Sequence, residues 1–292
     1  MSRFVITGSS GRVGRAIHFK LAMSHDVVGV DLNPGPATSV IADILDFDAL
    51  CKVFENKDAV VHVAALHAPH VGQRSDDDFQ KINVQGTANV VRAACQCGVG
   101  RIVLTSTTAL YGLASQLEDR AAWIDEETVP EPRSIYHRTK LEAEQIIREC
   151  ASEDMRVRVV RMSRCFPEPA PLMAMYRLHR GIDVRDVADA HVAAAFDSNE
   201  EQFMTLVVSG KTPFTREDCF ALKSDAEDVL RQRCPILVKQ FEQRGWRLPA
   251  TIDRVYDPGL AKQKLGWESR YGADEVFAQL DRESCEVLPP DA

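Results

Sequence analysis

Thr7-Gly-Ser-Ser-Gly-Arg-Val-Gly14 stands between the apolar run Arg3-Phe-Val-Ile-Thr7 and an amphipathic stretch, Gly11 to Met23. Strand, glycine-rich turn and helix in that order let a backbone approach a pyrophosphate, while the helix turns its unpaired N–H groups and positive dipole end toward the anion. Gly8, Gly11 and Gly14 are the glycine positions, and Ser10, Arg12 and Val13 share the loop with them. A glycine triplet alone also fits a tight turn with no ligand. Here the strand before it and the helix after it supply the context that a dinucleotide site requires.

Apolar patterning continues the alternation along the chain. Val27 to Asp31, Ala59 to Val63, Arg101 to Thr105 and Val157 to Met162 read as short strands rich in Val, Ile and Leu, as parallel strands covered on both faces do. Between them the sequence predicts helices from about Asp46 to Glu55, Phe79 to Cys97 and Tyr136 to Cys150. The expected fold class is α/β, a doubly wound parallel sheet with right-handed crossovers. The pattern loosens after Phe166-Pro-Glu-Pro-Ala-Pro171, whose three prolines forbid a central strand or a helix interior. Asp186 is then the expected N-cap of a helix through Ala195, and Thr205 to Ser209 a returning strand. Residues 1–165, with 184–210 returning to them, form the expected nucleotide-binding domain; 166–183 and 211–292 form a small, mainly helical substrate region.

The 292 residues, 45% of them hydrophobic, suffice for a sizeable core. A net charge of -8 offers no basic field for nucleic acid or an anionic membrane, so neither is an expected partner. No apolar run reaches the roughly 18 residues of a membrane span, and residues 1 to 7 already read as a strand without a charged leader, so the expected location is cytoplasmic. The eight cysteines include no Cys-x-x-Cys pair and read as reduced, mostly buried thiols. Cys95 and Cys97 face different directions on a helix, a poor geometry for a metal or a disulfide.

Asp31 ends the second strand about twenty residues beyond the glycines, where a carboxylate can accept hydrogen bonds from the adenosine ribose and would repel a 2′-phosphate. That favours NAD; Arg12 keeps NADP open as the second choice, since an arginine can accommodate the extra phosphate. Asp43-Ile44 follows the next apolar piece and could contact the adenine, or Asp43 could simply turn the chain. At the other end, Tyr136 and Lys140 stand four residues apart and leave one helix face together. A free phenol has a pKa near about 10, so acid/base work near neutrality needs its charged form stabilised, at about 1.4 kcal/mol per unit. A neighbouring ammonium supplies that.

With these residues in place, the chain resembles the extended short-chain dehydrogenases, the group that includes sugar-nucleotide epimerases and dehydratases. The resemblance rests on Thr7-Gly-x-x-Gly-x-x-Gly14, Asp43-Ile44, His62-Val-Ala-Ala65, Asn83-Val-x-Gly-Thr87, Thr105-Ser-Thr-Thr-Ala-Leu-Tyr-Gly112, Tyr136-x-x-x-Lys140 and Arg161, in order and spacing. It implies a Rossmann domain, Tyr136 as the acid/base exchanging a proton with a substrate oxygen, and Lys140 holding the nicotinamide ribose and favouring the tyrosinate. It implies that Thr107 hydrogen-bonds the reacting oxygen with Ser106 as helper; the bland alternative is that both hydroxyls satisfy turn backbone. Ala64, Ala65 and Asn83 are counted with the cofactor site, although Asn83 would also organise the tyrosine's helix or serve as a structural amide. In the resembling family the helices from Phe79 and Tyr136 commonly build a dimer, so a homodimer is expected.

His67 and His70 lie in the proline-containing loop Ala64-Ala-Leu-His-Ala-Pro-His-Val-Gly72. No Cys or paired acid follows at ligand spacing, so substrate contact by His67 is favoured over a metal, and no metal is expected. His62 is expected as an interior strand histidine. Arg161-Met-Ser-Arg-Cys-Phe-Pro-Glu-Pro169 departs from the polar stretch and Gly-Pro turn usual in the family, and its Cys-x-Pro-Glu-Pro element resembles that of uronate dehydrogenases, which oxidise free sugar acids. Ser163 and Arg164 are the expected substrate contacts, and Arg161 with Arg164 could grip a carboxylate; ion pairing to surface acids is the alternative. Arg180 or Arg185 could reach substrate or face solvent. The span from Pro167 to Gly181 is short for a nucleotide pocket, so the expected substrate is a free sugar, sugar acid or other polyhydroxy acid. The expected function is an NAD-dependent oxidoreductase moving a hydride between nicotinamide and a secondary alcohol or carbonyl of such a substrate. The alternatives are an epimerase or dehydratase that keeps its NAD, and a cofactor-sensing regulator, against which the retained tyrosine argues.

Overall fold

Strands that are apolar on both faces need helices on both faces, and the chain provides them. The computed structural model describes residues 1–290. Its strands, in chain order, are β1 Arg3–Thr7, β2 Asp26–Asp31, β3 Val40–Ile41, β4 Ala59–His62, β5 Arg101–Thr107, β6 Ala122–Ile124, β7 Arg156–Met162, β8 Phe203–Val208 and β9 Arg254–Tyr256. Seven of them form one parallel sheet in the order β3-β2-β1-β4-β5-β7-β8, while β6 and β9 pair as a separate two-stranded parallel ladder. The helices up to Phe196 are α1 Arg12–Ala22, α2 Phe47–Phe54, α3 Asp76–Phe79, α4 Gly86–Gln96, α5 Ile135–Glu149, α6 Ala170–His179 and α7 Val184–Phe196. Beyond them come α8 Cys219–Ser224, α9 Ala226–Arg233, α10 Pro235–Gln243, α11 Gly259–Leu265 and α12 Ala273–Asp281.

Side chains alternate across each strand, and β1 shows how that divides the core. Phe4 and Ile6 pack with Ile17 and Leu21 of α1 and with α7 on one face. Val5 packs with Leu50, Phe54, Val90 and Ile147 on the other. A third cluster, built around Met173, Leu222, Phe241 and Phe277, joins α6 to the helices after residue 210. Thr7 pairs with His62, His62 with Leu104, and Thr107 with Met162, so the loops after β1, β4, β5 and β7 leave one edge of the sheet. The order reverses direction beside β1, the switch point at which such sheets bind ligands.

Several local expectations need correction. Asp183, not Asp186, caps α7: its Oδ1 accepts from Arg185 N at 3.0 Å. Asp186 lies buried in the first turn and accepts from the N–H groups of Arg270 and Tyr271, tying a late loop to the helix. The stretch from Phe79 to Cys97 is not one regular helix, because a π-helical segment, Gln80–Gln85, separates α3 from α4. The proline-rich segment after Phe166 gives way to α6, with Pro171 in its first turn, where a missing N–H costs nothing. Among the described residues no helix is long and apolar enough to cross a membrane.

Candidate active site

A cleft of about 1090 Å³ opens over the carboxyl edge of the sheet, from the turns after β1 and β2 to those after β5 and β7. Gly8, Ser10, Gly11, Arg12, Val13 and Gly14 line one end with Asp31, Asp43, Ile44, Ala64 and Ala65. Gly8 has φ +73°, and a Cβ there would stand 2.6 Å from Ala64 N; at Gly14 it would stand 2.1 Å from Gly8 O. Both positions therefore need glycine for the turn to close. Asp31 Oδ2 accepts from Ser10 N at 3.0 Å and Oδ1 from Asn33 N at 2.9 Å, which fixes the carboxylate at the end of β2. Asp43 Oδ1 accepts from Leu45 N at 2.9 Å. Arg12 donates from Nε to Cys165 O at 3.0 Å and pairs with Glu286, so it ties α1 to the far loops.

Asn83 does not line the cleft. It is buried behind the wall, where its Oδ1 accepts from Leu66 N at 2.7 Å and its Nδ2 donates to Leu66 O and to Thr139 Oγ1. The π-helical segment carries it, and its bonds join the loop after β4 to α5. His62 is an interior strand residue, held between Thr7 Oγ1 at 2.7 Å and Thr87 Oγ1 at 3.0 Å; burial lowers its pKa to about 3.

Ser134 caps α5 by accepting from His137 N, and the helix then aims Tyr136 and Lys140 into the cleft beside Thr107. Both residues are buried, 8% and 4% exposed. Lys140 Nζ donates to Thr105 O at 2.7 Å, which anchors the ammonium at the end of β5. Burial pulls the Lys140 pKa down to about 8, against the opposing pull of the Glu144 carboxylate one turn along α5. Burial pushes Tyr136 up to about 12, against a smaller lowering by Thr107. At neutral pH the phenol is therefore protonated, the state of a general acid, and needs further positive charge nearby to serve as a base. Thr107 Oγ1 also accepts from Ala109 N at 3.1 Å, so the turn itself orients the hydroxyl.

Ser106 lines the cleft but donates to Glu144. Glu144 also accepts from Arg161 Nε at 3.1 Å and Nη2 at 2.7 Å, and Arg161 Nη1 donates to Tyr111 Oη at 3.1 Å. Arg161 is thus consumed by a buried network beneath Lys140, and an Arg161–Arg164 grip does not form. Arg164 reaches the cleft wall with its head paired to Glu168. Ser163 lines the cleft, and its buried hydroxyl has no hydrogen-bond partner. His67 and His70 face the cleft with Nδ1 atoms 3.0 Å apart. His70 Nδ1 also accepts from His67 N at 3.0 Å, which ties the two rings to the loop backbone. Burial, then the neighbouring His70 and Lys140, lower the His67 pKa to about 4. Among the described residues no cluster of three or more His, Cys, Asp or Glu could hold a metal.

The model of the NAD dependent epimerase/dehydratase family matches residues 4–170. The chain belongs to that family. Among curated relatives, an L-arabinose 1-dehydrogenase (NAD(P)(+)) of Haloferax volcanii is 34% identical over 155 residues, covering 50% of this chain and 60% of that protein. The dTDP-4-dehydrorhamnose reductase of Mycolicibacterium smegmatis is 29% identical over 193 residues, 66% of this chain and 55% of that protein. The chain thus spans little more than half of these relatives. Among solved structures, MoeE5 in complex with UDP-glucuronic acid and NAD superimposes with TM-score 0.71 at 21% identity, over 97% of this chain and 99% of that one. A mutated uronate dehydrogenase gives 0.67 at 19% identity, over 100% and 89%. These likenesses concern the fold.

The residues present fit the family's dinucleotide. The turn packs so tightly that only glycine fits at 8 and 14, the close backbone approach a pyrophosphate loop needs, and Asp31 presents a fixed carboxylate at the end of the second strand. Arg185, one of two arginines the sequence offered, lies elsewhere, paired with Asp183 and Glu275 over the Tyr271 ring. Arg180 does reach the cleft, and beside it stand Arg254 and Tyr256, which the sequence reading missed. Both belong to β9, too short to show a strand period, and no motif marked them.

Proposed function

We propose that this protein is an NAD-dependent oxidoreductase acting on a secondary alcohol or carbonyl of a small polyhydroxylated substrate, a sugar or sugar acid. The bound nicotinamide supplies the hydride acceptor or donor. Thr107 orients the substrate oxygen by hydrogen bonding, and Tyr136 Oη passes a proton to it or takes one from it. Lys140, held by the Thr105 carbonyl, would hold the nicotinamide ribose and lends the charge that brings the phenol toward ionisation. The observation that carries this reading is the placement of Tyr136, Lys140 and Thr107 on one wall of the cleft that begins at the glycine turn. Segments 166–183 and 211–292 form the substrate region, with His67 and Ser163 contacting the substrate. NAD is preferred to NADP because Asp31 occupies the ribose end and Arg12 is engaged with Cys165 O and Glu286.

The test is NADH appearance from purified protein with NAD+ and a panel of free sugars, uronic acids and hydroxy acids. Tyr136→Phe, run alongside, is expected to lower turnover by about 10²- to 10⁴-fold. Turnover that needs no added NAD+ would replace this reading with an epimerase or dehydratase that retains its cofactor. Full activity in Tyr136→Phe would refute the acid/base role.

A further inference from the structure

Both carboxylates of the cleft lining stand at the glycine-turn end with Arg12, while three of its arginines cluster at the far end. The carboxylates are Asp31 and Asp43, both at the end fed by β2 and β3. At the opposite end stand Arg164, Arg180 and Arg254, from three separate segments. Arg164 and Arg180 are brought together by backbone: Arg164 N donates to Arg180 O at 3.1 Å, and Ile182 N to Arg164 O at 2.9 Å. Arg254 is delivered by the β6–β9 ladder.

The three guanidiniums face two carboxylates. Glu168 pairs with Arg164, and Asp253 is shared, accepting from Arg254 Nη2 at 2.6 Å and from Arg180 Nη1 at 3.5 Å. One positive charge is left over, in a chain whose net charge is -8. The remaining contacts hold the heads still. Arg254 Nη1 donates to Ser115 Oγ at 2.6 Å; Arg180 Nη2 donates to Tyr176 Oη at 2.6 Å while its guanidinium lies 4.1 Å from that ring's centre. Even so, the buried Nε atoms of both Arg180 and Arg254 have no acceptor, and neither does the hydroxyl of Ser163, a residue 2% exposed on the same cleft wall. Buried donors without acceptors are costly, and a site that collects several of them beside an uncompensated charge is organised for an acceptor-rich, negatively charged group.

We infer that Arg180 and Arg254, with Ser163, form a subsite for the carboxylate of the substrate, so that the substrate is a sugar acid or related polyhydroxy acid and not a neutral sugar. A single negative charge matches the single excess positive charge, and a planar carboxylate suits guanidinium recognition. This rests on the proposed function only for the location of the substrate in the cleft.

The test is calorimetric titration of the NAD+-loaded protein with a panel of hexuronates and hexonates, the neutral amide of each, and hexose 6-phosphates, with NADH absorbance read on the same samples. The acid is expected to bind at least about tenfold tighter than its amide, and Arg180→Gln and Arg254→Gln each to erase that preference. Equal affinity for acid and amide, no acid bound at millimolar concentration, or tighter binding of the phosphate esters would overturn the carboxylate subsite. The wild-type comparison decides the matter even if a variant does not fold. Selective acid binding without NADH would sink the oxidation reading and leave the subsite standing; NADH formed equally well from neutral sugars would do the reverse.

Discussion

Lys140 is an ammonium kept in a place that disfavours it, and this has a measurable cost. Its pKa falls from 10.5 to about 8 on burial. At about 1.4 kcal/mol per unit, the shift corresponds to about 3 kcal/mol of destabilisation wherever the residue is charged in both states. The unfolded chain binds more protons at this site than the native one between pH 8 and 10.5, so stability rises with pH through that window. The penalty is fully present below pH 8 and gone above 10.5. Lys140→Met keeps the volume and removes the titration. Denaturant unfolding of both proteins at intervals from pH 7 to 10.5 gives a difference in which the other ionisable groups cancel. The wild type should gain on the variant by about 3 kcal/mol across the series, equivalent to roughly 5 °C in Tm for a chain of this length. The lost bond to Thr105 O displaces the whole difference curve by about 2 kcal/mol without changing its slope. A flat difference, or one that falls with pH, would refute the reasoning.

Three further outcomes are expected. Asp197→Ala strips the partner from Arg158, whose side chain is 0% exposed and whose Nε lies 2.6 Å from the carboxylate; calorimetry should find a loss of about 3–5 kcal/mol, and a change under about 1 kcal/mol would count against a buried pair. Gly14→Ala forces a Cβ against Gly8 O and should abolish NAD+ binding by fluorescence titration while circular dichroism stays native; retained affinity would mean the turn can open. Asp31→Ser removes the carboxylate at the ribose end and should raise NADPH affinity relative to NADH, an outcome that an unchanged ratio would contradict.

The strands that carry the cleft were legible because each is short and rich in Val, Ile and Leu between amphipathic helices, and the glycine turn and the Tyr136–Lys140 spacing sit at their ends. The two-residue β3 and three-residue β6 and β9 were not, since a run that short has no period to read. Asp186 drew the capping assignment because an aspartate before an apolar run looks like a cap, but Asp183 also qualifies and only tertiary contact with Arg270 and Tyr271 separates them. The π-helical segment at Asn83 is likewise invisible in pattern, being set by bonds to Leu66 on another element. At the site, Arg161 could not be told from Arg164 by charge; Glu144, one helix away, decides which arginine is spent inside.

The ladder of β6 with β9 also has a bearing on how the molecule is born. The ribosome has released the glycine turn, Tyr136 and every strand of the large sheet once Val208 emerges, and that portion can take shape while translation continues. Arg254 and Tyr256 come some forty-five residues later and must find Ala122–Ile124, laid down more than a hundred residues earlier. The part of the cleft wall carried by Arg254 and Tyr256 is therefore completed late, and a message truncated between these points would encode a dinucleotide cradle whose far wall lacks both residues.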